Sequence, residues 1–158
     1  MRVQFLLNIL LAIVWVFLTG TVNAGNFAFG IVLSFLVLWI ISPREKTGKY
    51  FVIIPRIISF MFYFLYELIK ANLQVAADVV TPKFYMEPGI IKYPLEAKTD
   101  LEITLLANII TLTPGTLSLD VSNDRKVLYI HAMYVHDKDK FINSIKNGFE
   151  KRILDIVR

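Results

Sequence analysis

Thr111–Val121 reads TLTPGTLSLDV, and it joins two different backbone periods through a corner. A helix-compatible run stops at Thr113-Pro114-Gly115, because proline lacks the N–H that a continuing helix needs and glycine accepts a turn. Leu117, Leu119 and Val121 then alternate with Thr116, Ser118 and Asp120, the period of a strand buried on its leucine side. Upstream, Thr99-Asp100-Leu101-Glu102 is a capping box. Leu101, Leu105, Ile109 and Leu112 follow at steps of four and three, predicting a helix of about 13 residues buried along that stripe. Downstream, Ser122–Arg125 forms a turn, and Lys126–Val135 (KVLYIHAMYV) is apolar on both faces, as a central strand is. Gly89–Leu95 (GIIKYPL) reads as a short strand that Pro94 confines to an edge or an end. A last helix gathers Phe141, Ile142, Ile145, Phe149, Ile153 and Leu154 on one side. Residues 83–158 are therefore expected to form a small α+β domain in β-α-β-β-α order, with its helices on one sheet face. So short a segment buries only a marginal core, and a helix docked from outside would complete it.

The first half follows different rules. The chain has 158 residues, 56% of them hydrophobic, and long apolar runs are concentrated before Pro82. Val3–Leu18 and Phe27–Ile41 carry no charge. Each is marginal for a crossing, which takes about 20 apolar residues. TGTVNAGN (Thr19–Asn26) links them, Arg2 precedes the first, and Arg44, Lys46 and Lys49 follow the second. The positive-inside rule places both ends of this hairpin, residues 1–49, in the cytoplasm. A cleavable secretory signal ending near Val22-Asn23-Ala24 competes with that reading; the second apolar run that begins at once speaks against it.

Residues 50–82 form an amphipathic helix, with Pro55 suited to an early turn. Glu67, Lys70, Gln74 and Asp78 share one stripe. After Arg56 only residues 57–66 run without charge, too few to cross about 30 Å of hydrocarbon. The helix is therefore expected to lie at the cytoplasmic interface or half-inserted, with Tyr63 and Tyr66 at headgroup level. A full third span would place residues 83–158 on the other side.

Catalytic chemistry finds little support in these residues. No cysteine is present, so thiol catalysis, disulfides and cysteine-bound zinc are excluded. Ser118 lacks a G-x-S-x-G frame and is expected on a solvent face. His131 and His136 fall on a strand and a following loop, poor geometry for a shared metal. Asp120 and Asp124 belong to a turn, and Asp137 and Asp139 to a helix cap. No phosphate loop and no basic-aromatic cluster for nucleic acid appears, and no catalytic, cofactor or metal residue is assigned. The residues singled out are structural. Asn8 is expected to hydrogen-bond to a neighbouring helix. Glu67 and Lys70 form an i,i+3 ion pair. Thr113, Pro114 and Gly115 make the corner.

Three phrases, ELIKANLQVA (Glu67–Ala76), PGIIKYPLEAKTDLEITLLAN (Pro88–Asn108) and ITLTPGTLSLDVSNDRKVLYIHAMYV (Ile110–Val135), resemble the small E subunit of the multisubunit Mrp-type cation/proton antiporters of bacteria. The resemblance implies a complex in the bacterial cell membrane that exchanges external protons for internal sodium and supports growth in alkali or salt. It implies as partners large subunits similar to the proton-pumping subunits of respiratory complex I, together with small membrane subunits and the lipid bilayer. The chain is then a non-catalytic accessory or assembly subunit. Two alternatives belong to other classes: a free-standing membrane-anchored sensing domain, and a regulatory cation site at Asp120 and Asp124.

Overall fold

The structure, a computed structural model, describes residues 2–41, 49–82 and 86–158, without the side chains of Arg2 and Lys49. Arg44, Lys46 and Lys83 lie outside the described residues, so the flanking charges behind the topology expectation are not among the structural findings. The chain divides into two compact units, one ending at Pro55 and the other beginning at Arg56.

The first unit holds α1 (Arg2–Thr19) and α2 (Ala24–Ile41), joined by a four-residue link. Polar side chains fasten the link where backbone groups run out. Asn23 Oδ1 accepts from the Asn26 N–H at 2.7 Å, the bond of a helix N-cap. Asn26 in turn donates through Nδ2 to Thr19 Oγ1 at 2.6 Å and accepts from Trp15 Nε1 at 2.9 Å. Farther along, the two backbones approach closely at Gly30, where a Cβ would stand 3.1 Å from the Ala12 carbonyl oxygen. By length and composition, Ala24–Ile41 and Tyr50–Val80 are able to cross a membrane, whereas Val3–Thr19 is a shorter apolar helix.

Helix α3 (Lys49–Val80) begins six residues before Pro55, which sits in its second turn. From Arg56 onward α3 belongs to the second unit.

That unit contains β1 (Gly89–Pro94), α4 (Asp100–Leu112), β2 (Thr116–Val121), β3 (Val127–Ala132), α5 (Lys138–Ile145), a single π-helical turn (Lys146–Glu150) and α6 (Lys151–Val157). The strands form one antiparallel sheet in the order β1-β3-β2. The strand that is apolar on both faces is thus the central one, and Pro94 closes an edge strand, where its missing N–H costs no ladder bond. The capping box forms as the sequence predicts: Glu102 N–H donates to Thr99 Oγ1 at 3.3 Å, and Glu102 Oε2 accepts from the Thr99 N–H at 3.2 Å.

Two burial expectations are overturned. Helix α4 buries Ile103, Leu106 and Ile110, while Leu101 and Leu112 are 60% and 62% exposed and Leu105 is also exposed. Strand β2 likewise turns Leu117 and Leu119 outward, at 44% and 47% exposure. The reason is polar and local. Ser118 Oγ donates to the Ala107 carbonyl at 3.0 Å, and Thr116 Oγ1 to the Ile110 carbonyl at 2.6 Å. These hydroxyls bind β2 to the backbone of α4 and leave the leucines on the other side. A bulge between Ser118 and Asp120 then brings Val121 back inward.

The core lies between the sheet and the helices, with Tyr93, Leu128 and Ile130 meeting Leu106, Ile110 and Phe149. Phe60, Tyr63 and Phe64 of α3 pack against it and supply the additional apolar cover that a small domain needs.

Candidate functional site

Helix α3 touches the α+β part at several levels. Near its start in this unit, Arg56 Nη1 donates to the Asp155 carbonyl at 2.5 Å. One turn and more farther on, the Tyr63 ring lies 5.4 Å from that of Phe149, beneath the Arg152 guanidinium at 4.3 Å. A Cβ at Gly148 would collide with the Tyr63 hydroxyl and stand 3.2 Å from Cζ, so a side chain here would have to displace the end of the Tyr63 side chain. At the far end, the Tyr134 hydroxyl donates to Asp78 Oδ2. That bond to a carboxylate, with burial second, pushes the Tyr134 phenol up to about 12, because ionising it would set two anions together.

Between these contacts lies a cleft of about 200 Å³. Glu67, Lys70 and Gln74 form its α3 wall, and Thr113, Pro114 and Gly115 stand among the residues opposite. Five of the six residues singled out from sequence therefore meet in one place. Glu67 and Lys70 pair at 3.5 Å. Thr113 Oγ1 donates to the Ile109 carbonyl at 3.1 Å, and the Met133 N–H donates to the Gly115 carbonyl at 2.8 Å, which binds the corner to β3. Gly115 has φ 84, a left-handed conformation that glycine adopts without strain, and its α-carbon faces the Tyr134 ring. The corner is thus the platform under Tyr134, and Tyr134 holds α3.

Asn8 belongs to the first unit. It is 3% exposed and donates through Nδ2 to the Tyr50 hydroxyl of α3 at 2.6 Å, a hydrogen bond between two helices. Tyr50 is enclosed by aromatic neighbours, with ring centroids 5.8 Å away at Phe35 and 5.3 Å at Phe51.

A second polar cluster escaped the sequence reading. Glu150 is 1% exposed and accepts the Tyr93 hydroxyl at 2.6 Å and the N–H groups of Glu96 and Ala97 at 2.7 and 2.9 Å. Burial, followed by the bond to Glu150, raises the Tyr93 phenol well above its ordinary value. Beside it, Arg158 Nε donates to Glu102 Oε1 at 3.1 Å. That charged bond, with the Lys98 and Thr99 N–H groups, lowers the Glu102 carboxyl to about 2. Between them the two carboxylates accept from four N–H groups of the loop between β1 and α4, those of Glu96 and Ala97 at Glu150 and of Lys98 and Thr99 at Glu102. Glu150 sits one residue past Phe149 and three before Ile153, a spacing that placed it beside the buried stripe, and it is the last residue of the π-helical turn.

The cleft is lined by partnered groups, Glu67 with Lys70 and Tyr134 with Asp78, whose arrangement fastens elements together. Among the described residues no group of three or more His, Asp or Glu is placed to hold a metal ion.

A family model described as Na+/H+ ion antiporter subunit matches residues 8–156. The E subunit of the Na(+)/H(+) antiporter of Alkalihalophilus pseudofirmus is 40% identical over 158 residues, and that of Bacillus subtilis 41%; each alignment covers all of both chains. Among solved structures, a chain of the Mrp complex from Dietzia sp. DQ12-45-1b is 30% identical with a TM-score of 0.50, covering 65% of this chain and 96% of that one. A chain of the membrane-bound sulfane sulfur reductase, an archaeal respiratory membrane complex, is 29% identical with a TM-score of 0.55, covering 98% of this chain and 97% of that one.

Proposed function

The chain belongs to the family of Na+/H+ antiporter E subunits, and from that premise we propose that it is a non-catalytic accessory subunit that braces the cytoplasmic side of a multisubunit sodium/proton antiporter. The observation that carries the proposal is the two-sidedness of α3. Phe60, Tyr63, Phe64 and the Glu67–Asp78 stripe are turned to the α+β part. Phe62, Leu65, Tyr66, Ile69 and Leu73 recur on the opposite face, and all are exposed. A helix with a charged domain along one side is not surrounded by lipid, whereas one laid along the membrane surface buries its apolar face in the interface and keeps its polar face out of it. On this reading α1 and α2 cross the bilayer with the N-terminus in the cytoplasm, α3 lies at the cytoplasmic interface, and residues 83–158 stand in the cytoplasm.

Two further points support a structural role. Ion translocation through hydrocarbon needs titratable stations, and residues 3–41 contain no Asp, Glu, His, Lys or Arg. The same fold also recurs in a chain of a respiratory complex with sulfur chemistry, and a part kept between complexes of different chemistry suits bracing better than catalysis.

The test is purification of the tagged protein from native membranes in mild detergent, with the co-purifying chains identified by mass spectrometry. Large antiporter subunits are expected in the eluate, and Pro114-Gly115 changed to Ala-Ala should reduce the assembled complex together with transport. A protein that emerges alone, or a double variant with normal assembly and no transport, would overturn the proposal.

A further inference from the structure

One edge of the second unit gathers cations beyond those that its ion pairs use. A depression of about 740 Å³ is lined by Lys98 of the loop before α4, Arg125 and Lys126 of the turn between β2 and β3, and Arg158. A second, of about 300 Å³, adjoins it through Glu96 and Arg158 and adds Arg56 and Lys151. Three acids, Glu96, Asp124 and Asp155, line the same surface. Pairing decides what charge remains. Arg125 is held by Asp100 at 2.6 Å, Arg158 by Glu102 at 3.1 Å, and Glu96 by Lys146 at 2.6 Å. Among the described residues no ion pair engages Arg56, Lys98, Lys126 or Lys151, and all four are exposed. Against them stand Asp155 and Asp124, the latter already accepting from Ser122 Oγ and the Lys126 N–H. Four cations against two carboxylates leave the edge positive.

We propose that this edge binds the phosphate headgroups of anionic lipids at the cytoplasmic membrane surface, through Arg56, Lys98, Lys126 and Lys151. The inference rests on the interfacial reading of α3 and adds to it the class of lipid and the residues that hold it. What lies beside the cations favours lipid phosphate. Arg56 is the first residue of the second unit, where the chain arrives from the apolar hairpin, and Ile57 and Ile58 directly after it are 39% and 49% exposed. A guanidinium followed by exposed methyl groups suits the boundary between headgroups and acyl chains, where the charge reaches the phosphates and the apolar groups stay below. Basic residues beside membrane segments are drawn to an anionic leaflet by about fivefold each. A soluble phosphate compound fits less well: the cations are spread along two open depressions, and no glycine among the described lining residues lets backbone N–H groups converge on an anion. Nucleic acid fits poorly too, since no aromatic side chain among those residues offers a base a stacking surface.

Amine labelling of the purified full chain in lipid nanodiscs tests the site. In discs of phosphatidylglycerol mixed with phosphatidylcholine, Lys98, Lys126 and Lys151 should label at least about threefold more slowly than in phosphatidylcholine alone, while Lys138, exposed on α5, should label equally in both. High salt should remove the difference, because attraction to the headgroups is screened. Lys98→Gln, Lys126→Gln and Lys151→Gln together should lower the phosphatidylglycerol that the protein retains in detergent about tenfold, with protease resistance equal to wild type showing that the fold survives. Labelling that is the same in both discs overturns the proposal, as does unchanged retention by the triple variant. Equal protection by millimolar inorganic phosphate in phosphatidylcholine discs also overturns it, since the edge would then be a site for a soluble anion. A nitroxide on Phe62→Cys, the only thiol in a chain without cysteine, reports separately on α3. If that label meets oxygen dissolved in the acyl chains and the lysines stay unprotected, the headgroup site alone falls. If it meets a water-soluble nickel chelate instead, the interfacial reading of α3 falls and the proposal with it.

Discussion

The Tyr134 hydroxyl donates to the Asp78 carboxylate, so the residue two beyond the central strand holds the last turn of α3. Asp78 is buried, and removing its donor leaves a desolvated charge without its partner. Tyr134→Phe should therefore lower stability by about 1.5–3 kcal/mol, the range of hydrogen bonds to charged groups. Limited proteolysis of the detergent-solubilised protein should show earlier cleavage after Val80 in the variant.

Glu150 and Tyr93 allow a graded comparison. Tyr93→Phe removes one donor of three, whereas Glu150→Ala leaves the Tyr93 hydroxyl and two loop N–H groups without their acceptor. Each buried group left unsatisfied costs about 1–3 kcal/mol, so Glu150→Ala should destabilise at least twice as much as Tyr93→Phe in denaturant unfolding. Equal losses would mean that the loop N–H groups find water instead.

Gly148→Ala should push α3 away from the π-helical turn, because the added methyl group meets the Tyr63 hydroxyl. Tyr63→Phe removes that oxygen and leaves ring carbon as the nearest neighbour. The double variant should regain most of the thermal midpoint lost by Gly148→Ala; no recovery would show that the backbone is what cannot yield.

Acid should weaken the fold through Glu102. Its carboxyl is lowered to about 2 by Arg158 and two backbone donors, against about 4.3 for an unfolded chain. A depressed folded value contributes stability that is complete above the unfolded value and is lost as pH falls from there through about 2. Arg158→Ala removes the largest cause, so the variant should be less stable near neutrality and its acid loss should be shallower than that of wild type. An unchanged stability difference between pH 6 and pH 3 would exclude Glu102 as the titrating group.

Much of this protein is local in origin and therefore readable in the chain. The capping box at Thr99, the stop at Pro114-Gly115, the two-sided apolarity of Val127–Ala132 and the uncharged runs before Ser42 act within a few residues, through backbone geometry and hydration. Tertiary structure decided which apolar face each element turned inward. Leucines at 101, 105 and 112 competed with Ile103, Leu106 and Ile110 for the core of α4, and at 117 and 119 they competed with hydroxyls on β2. Periodicity detects an apolar stripe, but it cannot rank two stripes on one helix. The hydrogen bonds from Thr116 and Ser118 to the α4 backbone chose between them, and the buried carboxylate of Glu150 met its three donors only when residues about 54 positions apart came together.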